Sequence, residues 1–187
     1  MKTLIIKTVV ITLIITIVAS FLTFFLLGLF FPSAISNMAY KVNGKKIAIK
    51  YAEIDYNRNN EIYSLSQLVE KSIWADYDNY VIKYSPILLY HSDYNEFLKS
   101  KETNYQEYIV NSYVEALYDS NEFTKSVDVA YAFYNSSSTT NTFRVLIYLA
   151  NSNNDKSTLL KISEKLRSVE NKTEETVYLI NLLNSIL

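Results

Sequence analysis

The chain has no cysteine, two glycines, two prolines, one histidine and one tryptophan in 187 residues. Without cysteine there is no disulfide and no thiolate metal site. Sheet-rich folds need turn residues often, so the scarcity of glycine and proline points to helices joined by short polar loops. Two glycines cannot build a glycine-rich phosphate loop, and no Gly-x-Ser-x-Gly elbow occurs. The formal net charge is −1, so no concentrated basic surface argues for nucleic acid. Seventeen tyrosines with many Ile, Lys and Asn point instead to AT-rich codon usage.

What is present in quantity lies at the N-terminus. Residues 8–31 (TVVITLIITIVASFLTFFLLGLFF) carry no charge. As a helix of about 36 Å they cross a hydrocarbon core of about 30 Å with some tilt. Lys2 and Lys7 precede the segment and Pro32 follows it. A signal-peptide core of about 7–15 residues would be shorter, which favours an uncleaved anchor over residues 1–32. Cleavage at Ala34-Ile35-Ser36 or Asn37-Met38-Ala39 is the competing reading. Lys2 and Lys7 on one side face Lys41, Lys45, Lys46 and Lys50 on the other. The second group sits ten or more residues away, so the charge balance leans to N-in, C-out.

Beyond the anchor, two stretches 33 residues apart share a pattern. Ile47, Tyr51 and Ile54, with Ala48 and Ala52 as a small edge, match Tyr80, Tyr84 and Ile87. Asn43-Gly44 is a hairpin cue, but the second copy has Asp76-Tyr77-Asp78-Asn79 there and only a helical reading explains both. Gly44 then ends one helix and Lys45 starts the next. The unit becomes helix A (60–75, with Ile62, Leu65, Leu68, Val69, Ile73 and Trp74 apolar) and helix B (78–90, N-capped by Asp78). Pro86 inside helix B is expected to kink it. Residues 33–42 form a short helix A before the first copy. Later helices are expected over 105–118 (Tyr108, Ile109, Tyr113, Ala116, Leu117) and 122–134 (Phe123, Val127, Ala130, Tyr134). Phe143, Leu146, Ile147 and Ala150 mark another, after a polar linker at 136–140. Leu159, Ile162 and Leu166 follow, capped by Ser157. A last helix opens at Thr173-Glu174-Glu175 and carries Val177, Ile180, Leu183 and Leu187. Tyr108, Phe143 and Tyr178 stand 35 apart. Ser92 to Thr103 interrupts the period by about a dozen residues, as an extra short helix near 92–103 capped by Ser92 and packed through Phe97 and Leu98.

Asn43-Gly44…Ala48…Tyr51 and Ala75-Asp76-Tyr77…Tyr80…Tyr84 resemble the Gly-Asp-Tyr turn, alanine and aromatic residue of tetratricopeptide (TPR) repeats. Val69 stands where that family has a small residue, and no unit ends in its usual proline. The resemblance implies an all-α fold: an N-terminal transmembrane helix, then an α-solenoid of TPR-like hairpins over residues 33–187. An anchor followed by degenerate repeats also resembles small membrane proteins of low-GC Gram-positive bacteria. A lone hairpin cannot bury its apolar face, so such units stack. Leu182, Leu183, Ile186 and Leu187 at the C-terminus either pack back on the last unit or meet another protein.

No residue pattern assigns a catalytic, cofactor-binding or metal role, and no partner-binding residue is singled out. His91 follows Tyr90 at a helix end, where a C-terminal cation suits the helix dipole. Asp76/Asp78 and Glu174/Glu175 sit at helix starts, where capping explains them. Asn135-Ser-Ser and Asn171-Lys-Thr fit the glycosylation pattern. Tyr51, Tyr84, Tyr113 and Tyr131 fall on packing faces; Tyr56, Tyr63, Tyr77, Tyr90 and Tyr94 are candidates for an exposed peptide- or glycan-binding surface. The expectation is a non-enzymatic scaffold. It is anchored in membrane lipid through residues 8–31, holds a protein partner outside the cytoplasm, and uses no cofactor and no nucleic acid. The alternative is a cell-surface ligand-binding module released by cleavage near Ser36 or Ala39.

Overall fold

A computed structural model of the chain describes residues 2–134 and 140–187. Most of the linker at 136–140 and the Asn135-Ser-Ser triplet therefore lie outside the described residues. Among those residues there is no strand. Eleven helices follow one another: α1 (Lys2–Phe30), α2 (Pro32–Lys41), α3 (Lys45–Asn59), α4 (Ile62–Trp74), α5 (Asp78–Leu89), α6 (Tyr94–Leu98), α7 (Tyr105–Asp119), α8 (Phe123–Ala132), α9 (Thr140–Ser152), α10 (Lys156–Arg167) and α11 (Glu174–Ile186). They form two compact units, Met1–Lys71 and Ser72–Leu187, divided within α4.

In the first unit α1 is the apolar rod, long and apolar enough over Ile6–Phe30 to cross a membrane. Its hydroxyls are self-contained. Thr12, Thr16, Ser20 and Thr23 each donate to the carbonyl four residues back, at 2.8–2.9 Å. These four hydroxyls are thereby satisfied within the helix. The helix breaks at Phe31 (φ −134, ψ 61), and Pro32 opens α2 at a position where its missing N–H leaves no gap. α2 packs antiparallel-linked to α3 through the turn at 42–44.

The turns repeat. Asn43, Asp76, Asn121 and Asn154 all adopt left-handed φ, between 54 and 64°. After each, the next residue donates its N–H to the carbonyl five positions back: Gly44 to Ala39, Tyr77 to Ser72, Glu122 to Leu117 and Asp155 to Ala150, at 2.7–3.0 Å. This closure satisfies helix-end carbonyls, and Asn and Asp are the non-glycine residues that tolerate the conformation best. Asn43 and Asp76 are 33 residues apart, as are Asn121 and Asn154; Asp76 and Asn121 are 45 apart. The surplus dozen is the expected insertion, which contains α6.

Registered on these turns, the cores coincide. Pro32, Leu65, Val110 and Phe143 are buried at one position. Ile35, Leu68, Tyr113 and Leu146 are buried at the next, followed by Ser36, Val69, Val114 and Ile147, and by Ala39, Ser72, Leu117 and Ala150. In the second helix Ala48, Val81, Ser126 and Leu159 are buried together, and so are the small residues Ala52, Ser85, Ala130 and Ser163. Small side chains there let the paired helices approach closely. In the second unit α5 packs on α7. α7 also meets α8 and α9, α8 meets α9 and α10, α9 meets α10, and α11 packs on α9 and α10.

Several local expectations are corrected. Gly44 has φ −82 and caps α3; the left-handed residue is Asn43. Asp78 is the first residue of α5, whose cap is Tyr77. Asp155, not Ser157, caps α10, accepting from the Thr158 N–H at 3.0 Å. Ser92 does not cap the extra helix: α6 is five residues long, starts after Asp93 and buries Tyr94 and Phe97. Helix α5 runs on past Pro86 to Leu89. Of the visible letters of the 33-residue repeat only Tyr84 is core. Ile47 and Ile87 are exposed and Tyr51, Ile54 and Tyr80 half-buried, because Ala48/Val81 and Ala52/Ser85 face inward. In α11 Val177 and Leu187 are exposed, while Thr176, Leu179 and Leu183 are buried against α9 and α10. The Thr173 cap is as expected, accepting from the Thr176 N–H.

If the left-handed turn holds the hairpins, Asn154→Gly should leave the melting temperature unchanged or raise it. Asn154→Val, with a branched Cβ against the following carbonyl, should cost about 1–2 kcal/mol. Thermal unfolding of the detergent-solubilised chain compares the two; equal effects would discard the turn as the organising element.

Candidate functional site

Three places concentrate polar side chains. The first is buried in unit one. Lys71 of α4 is 5% exposed, and its Nζ donates to Ser36 Oγ and to Asn37 Oδ1, both at 2.8 Å. Ser36 is fully buried and donates its own proton to the Ala48 carbonyl at 2.7 Å. The turn register explains why this serine stands out: the same position holds Val69, Val114 and Ile147 in the other hairpins. A hydroxyl replaces an aliphatic side chain where a cation must be received. Burial pulls the Lys71 ammonium below its ordinary range, against the opposing pull of Asp55 and Glu70. Asp55 is itself pushed up by burial, opposed by Lys71 and Arg58.

A serine beside a lysine of lowered pKa suggests a nucleophile and its base. The geometry points elsewhere. The serine proton is committed to a backbone carbonyl, and Ser36 has no exposed surface for a substrate to reach. The cluster is a polar staple joining α4 to the α2–α3 hairpin.

The second place is an acidic recess of about 250 Å³ in unit two, between the α5 turn and α7. Ile73, Val81, Ser112 and Ala116 line it together with the carboxylates of Asp76, Asp78, Glu115 and Asp119. Burial, then Asp119 and Asp76, pushes the Asp78 carboxyl above its ordinary range. Burial, then Asp119, Asp78 and Asp76, does the same to Glu115. Like charges crowded at a partly desolvated edge oppose ionisation. Among the described residues no group of three carboxylate or imidazole side chains converges as metal ligands would.

The third is a face shared by α7, α9 and α11. Tyr108, Asn111 and Glu115 on α7 occupy the same turn-relative positions as Asn141, Arg144 and Tyr148 on α9. The helices are laced along this face. Asn141 donates to Glu107 (2.5 Å), Thr142 to Asn111, and the Arg144 Nε to Glu175 of α11 (2.7 Å). The Arg144 guanidinium also lies over the Tyr178 ring, 5.8 Å from its centroid. Tyr108, Tyr148 and Tyr178 are 43%, 71% and 54% exposed. Large aromatic side chains left in water on adjacent helices are what a contact surface needs. Glu115 belongs both to this face and to the acidic recess.

The 35-residue spacing of Tyr108, Phe143 and Tyr178 does not mark one face: Phe143 is fully buried and both tyrosines are exposed. The usable spacing is the 33 of the turns. Tyr148, Arg144 and Lys71 carry no signal in the sequence, since a polar side chain on a helix ordinarily reads as solvated. Of the tyrosines expected outside, Tyr63 and Tyr90 are exposed, Tyr56 and Tyr77 are half-buried, and Tyr94 is 5% exposed. Tyr84 and Tyr113 are core; Tyr51 and Tyr131 are half-buried. His91 is a turn residue whose Nδ1 accepts from the Asp93 N–H at 3.1 Å.

Two predictions follow from the charged groups. Ser36→Val should cost about 1–3 kcal/mol by leaving the Lys71 ammonium short of an acceptor, and adding Lys71→Met should recover most of it. Lys71 binds its proton more weakly folded than unfolded. Stability should therefore rise as pH climbs from the folded pKa towards 10.5, and Lys71→Met should abolish that rise. Denaturant midpoints between neutral pH and pH 10 measure both effects. For the recess the sign is opposite, because Asp78 and Glu115 hold protons more tightly when folded. Acidification towards pH 4 should stabilise through them, and Asp119→Asn should raise the neutral-pH melting temperature while flattening that slope. A melting temperature unmoved by Asp119→Asn would show the carboxylates to be independent. Comparison of the chain with protein-family models, curated proteins and solved structures gives no match.

Proposed function

We propose that the chain is a single-pass membrane protein whose hairpins stack as a short TPR-like α-solenoid and hold a protein partner at the membrane, without catalysis. The recurring 33-residue turn register supports the repeat, and the neighbour-to-neighbour packing of α7 through α11 supports the stacking. The observation that carries the binding role is the set of exposed Tyr108, Tyr148 and Tyr178 with Arg144 on the neighbouring helices α7, α9 and α11. An extended segment of a partner would lie across them, gaining aromatic contact area at low side-chain entropy. The catalytic reading has less support, since the Ser36–Lys71 pair is sealed in the core.

Uncleaved anchoring is favoured over release by where the possible cleavage points lie. Ile35, Ser36 and Ala39 are buried in α2. A cut there removes core from the first hairpin and the acceptor of Lys71.

Site-specific photocrosslinking in cells tests the surface. A photoreactive residue at Tyr148 or Tyr178 should trap a discrete protein. One at Leu160, which is 52% exposed on α10, should not. Equal trapping at all three positions, or none at the tyrosines, would remove the binding face. A mature N-terminus after Ser36 or Ala39 would replace the anchored form with a released one.

A further inference from the structure

The first hairpin carries an exposed basic and apolar surface that neither its core nor the proposed partner face uses. The chain has six lysines and no acid before Glu53. At the end of α2 stand Met38, Lys41 and the C-cap residue Val42, with Lys41 opposite the buried Ile35, Ser36 and Ala39. On α3, Lys46, Ile47 and Lys50 lie together, opposite the buried Ala48, Ile49 and Ala52. All six are exposed; Met38, Val42 and Ile47 leave 59%, 79% and 47% of their surface in water. Both sets flank the turn at 42–44, so they crowd one end of the hairpin.

The position of that end follows from how α3 meets α1. The Tyr51 ring lies over Gly28 so closely that a Cβ there would fall 2.6 Å from the Tyr51 Oη. The same ring meets Phe24 edge-on at 6.5 Å. Seven residues further on, Arg58 donates to the Leu29 carbonyl at 2.5 Å, placing a cation on the C-terminal end of α1. Tyr51 and Arg58 thus hold α3 against Phe24–Leu29, the last turns of α1. With α1 as a membrane span, the α2–α3 hairpin stands where the apolar rod leaves the bilayer.

We propose that the α2–α3 hairpin is a membrane-surface collar. Lys41, Lys46 and Lys50 engage anionic lipid headgroups of the bilayer that α1 crosses, and Met38, Val42 and Ile47 enter its interface. This rests on the reading of α1 as an uncleaved span. Its chemistry is that of an amphipathic element at a membrane surface, with basic side chains for the headgroups and apolar ones for the acyl boundary. Tyr51 and Arg58 sit where interfacial aromatic and cationic anchors belong. Each lysine near such a surface contributes about fivefold in the bound-to-free ratio, hence about a hundredfold for three.

The absence of cysteine makes the test direct. The full-length Val42→Cys chain, nitroxide-labelled, is reconstituted in phosphatidylcholine vesicles with and without phosphatidylglycerol. With the anionic lipid, the label should lose collisions with a water-soluble nickel chelate and gain them with oxygen. Lys41, Lys46 and Lys50 changed together to Gln should reverse that shift at unchanged helix content. A Tyr148→Cys label should stay nickel-accessible throughout. Equal nickel accessibility in both vesicles, or no effect of the lysine changes, would overturn the collar while leaving the span intact. Spectral broadening relieved by unlabelled chain would assign the surface to a second copy instead. Carbonate extraction of the chain from the vesicles would overturn the span and the collar together.

Discussion

Everything in this fold depends on a single residue per hairpin entering left-handed backbone. The chain has to reverse direction between two helices in three or so residues, and the reversal strands carbonyls at the first helix end. A positive φ at Asn43, Asp76, Asn121 and Asn154 turns the next N–H back onto the carbonyl five residues earlier. That closure sets the separation and register of the paired helices. Once register is set, the same offsets from the turn face inward in every hairpin. Asn60, which ends α3, is left-handed as well, at φ 50°, and the insertion containing α6 falls between turns.

The turn imposes positions but not chemistry. At one core offset, three hairpins carry Val69, Val114 and Ile147, and the first carries Ser36. Its hydroxyl is useful only because Lys71 reaches it, and Lys71 is tolerated in the interior only because Ser36 and Asn37 receive it. Such a staple gives geometric specificity in place of the burial energy an aliphatic pair would supply. Ser85, fully buried and without a hydrogen-bond partner, shows the opposite case: at that offset small volume is selected, and Ala52 and Ala130 serve equally well.

At the end of the apolar rod, glycine is used for space. Gly28 has no need of special backbone angles; it yields room for the Tyr51 ring, so that α3 can lie on the last turns of α1. Arg58 on the Leu29 carbonyl adds a second tie between the two helices. In the second unit, side-chain bonds between α7, α9 and α11 order the face that leaves Tyr108, Tyr148 and Tyr178 in water.

By itself the sequence determined the helical class, the apolar rod, the 33-residue period and the dozen-residue interruption. These are local properties: residue propensity, charge-free length and turn chemistry act within a few neighbours. It also marked the core of the later helices, where Phe143, Leu146, Ile147 and Ala150 form one unbroken apolar stripe. It misplaced the inward face of α3, because Ile47 and Tyr51 outrank Ala48 and Ala52 in hydrophobicity. Only close approach of a second helix makes a small residue the better one to bury. For the same reason tertiary packing alone decided that Lys71 goes in, that Tyr94 goes in, and that Tyr108 and Tyr178 stay out. Whether a side chain meets solvent depends on what the rest of the chain lays over it, and the helix that carries it holds no record of that.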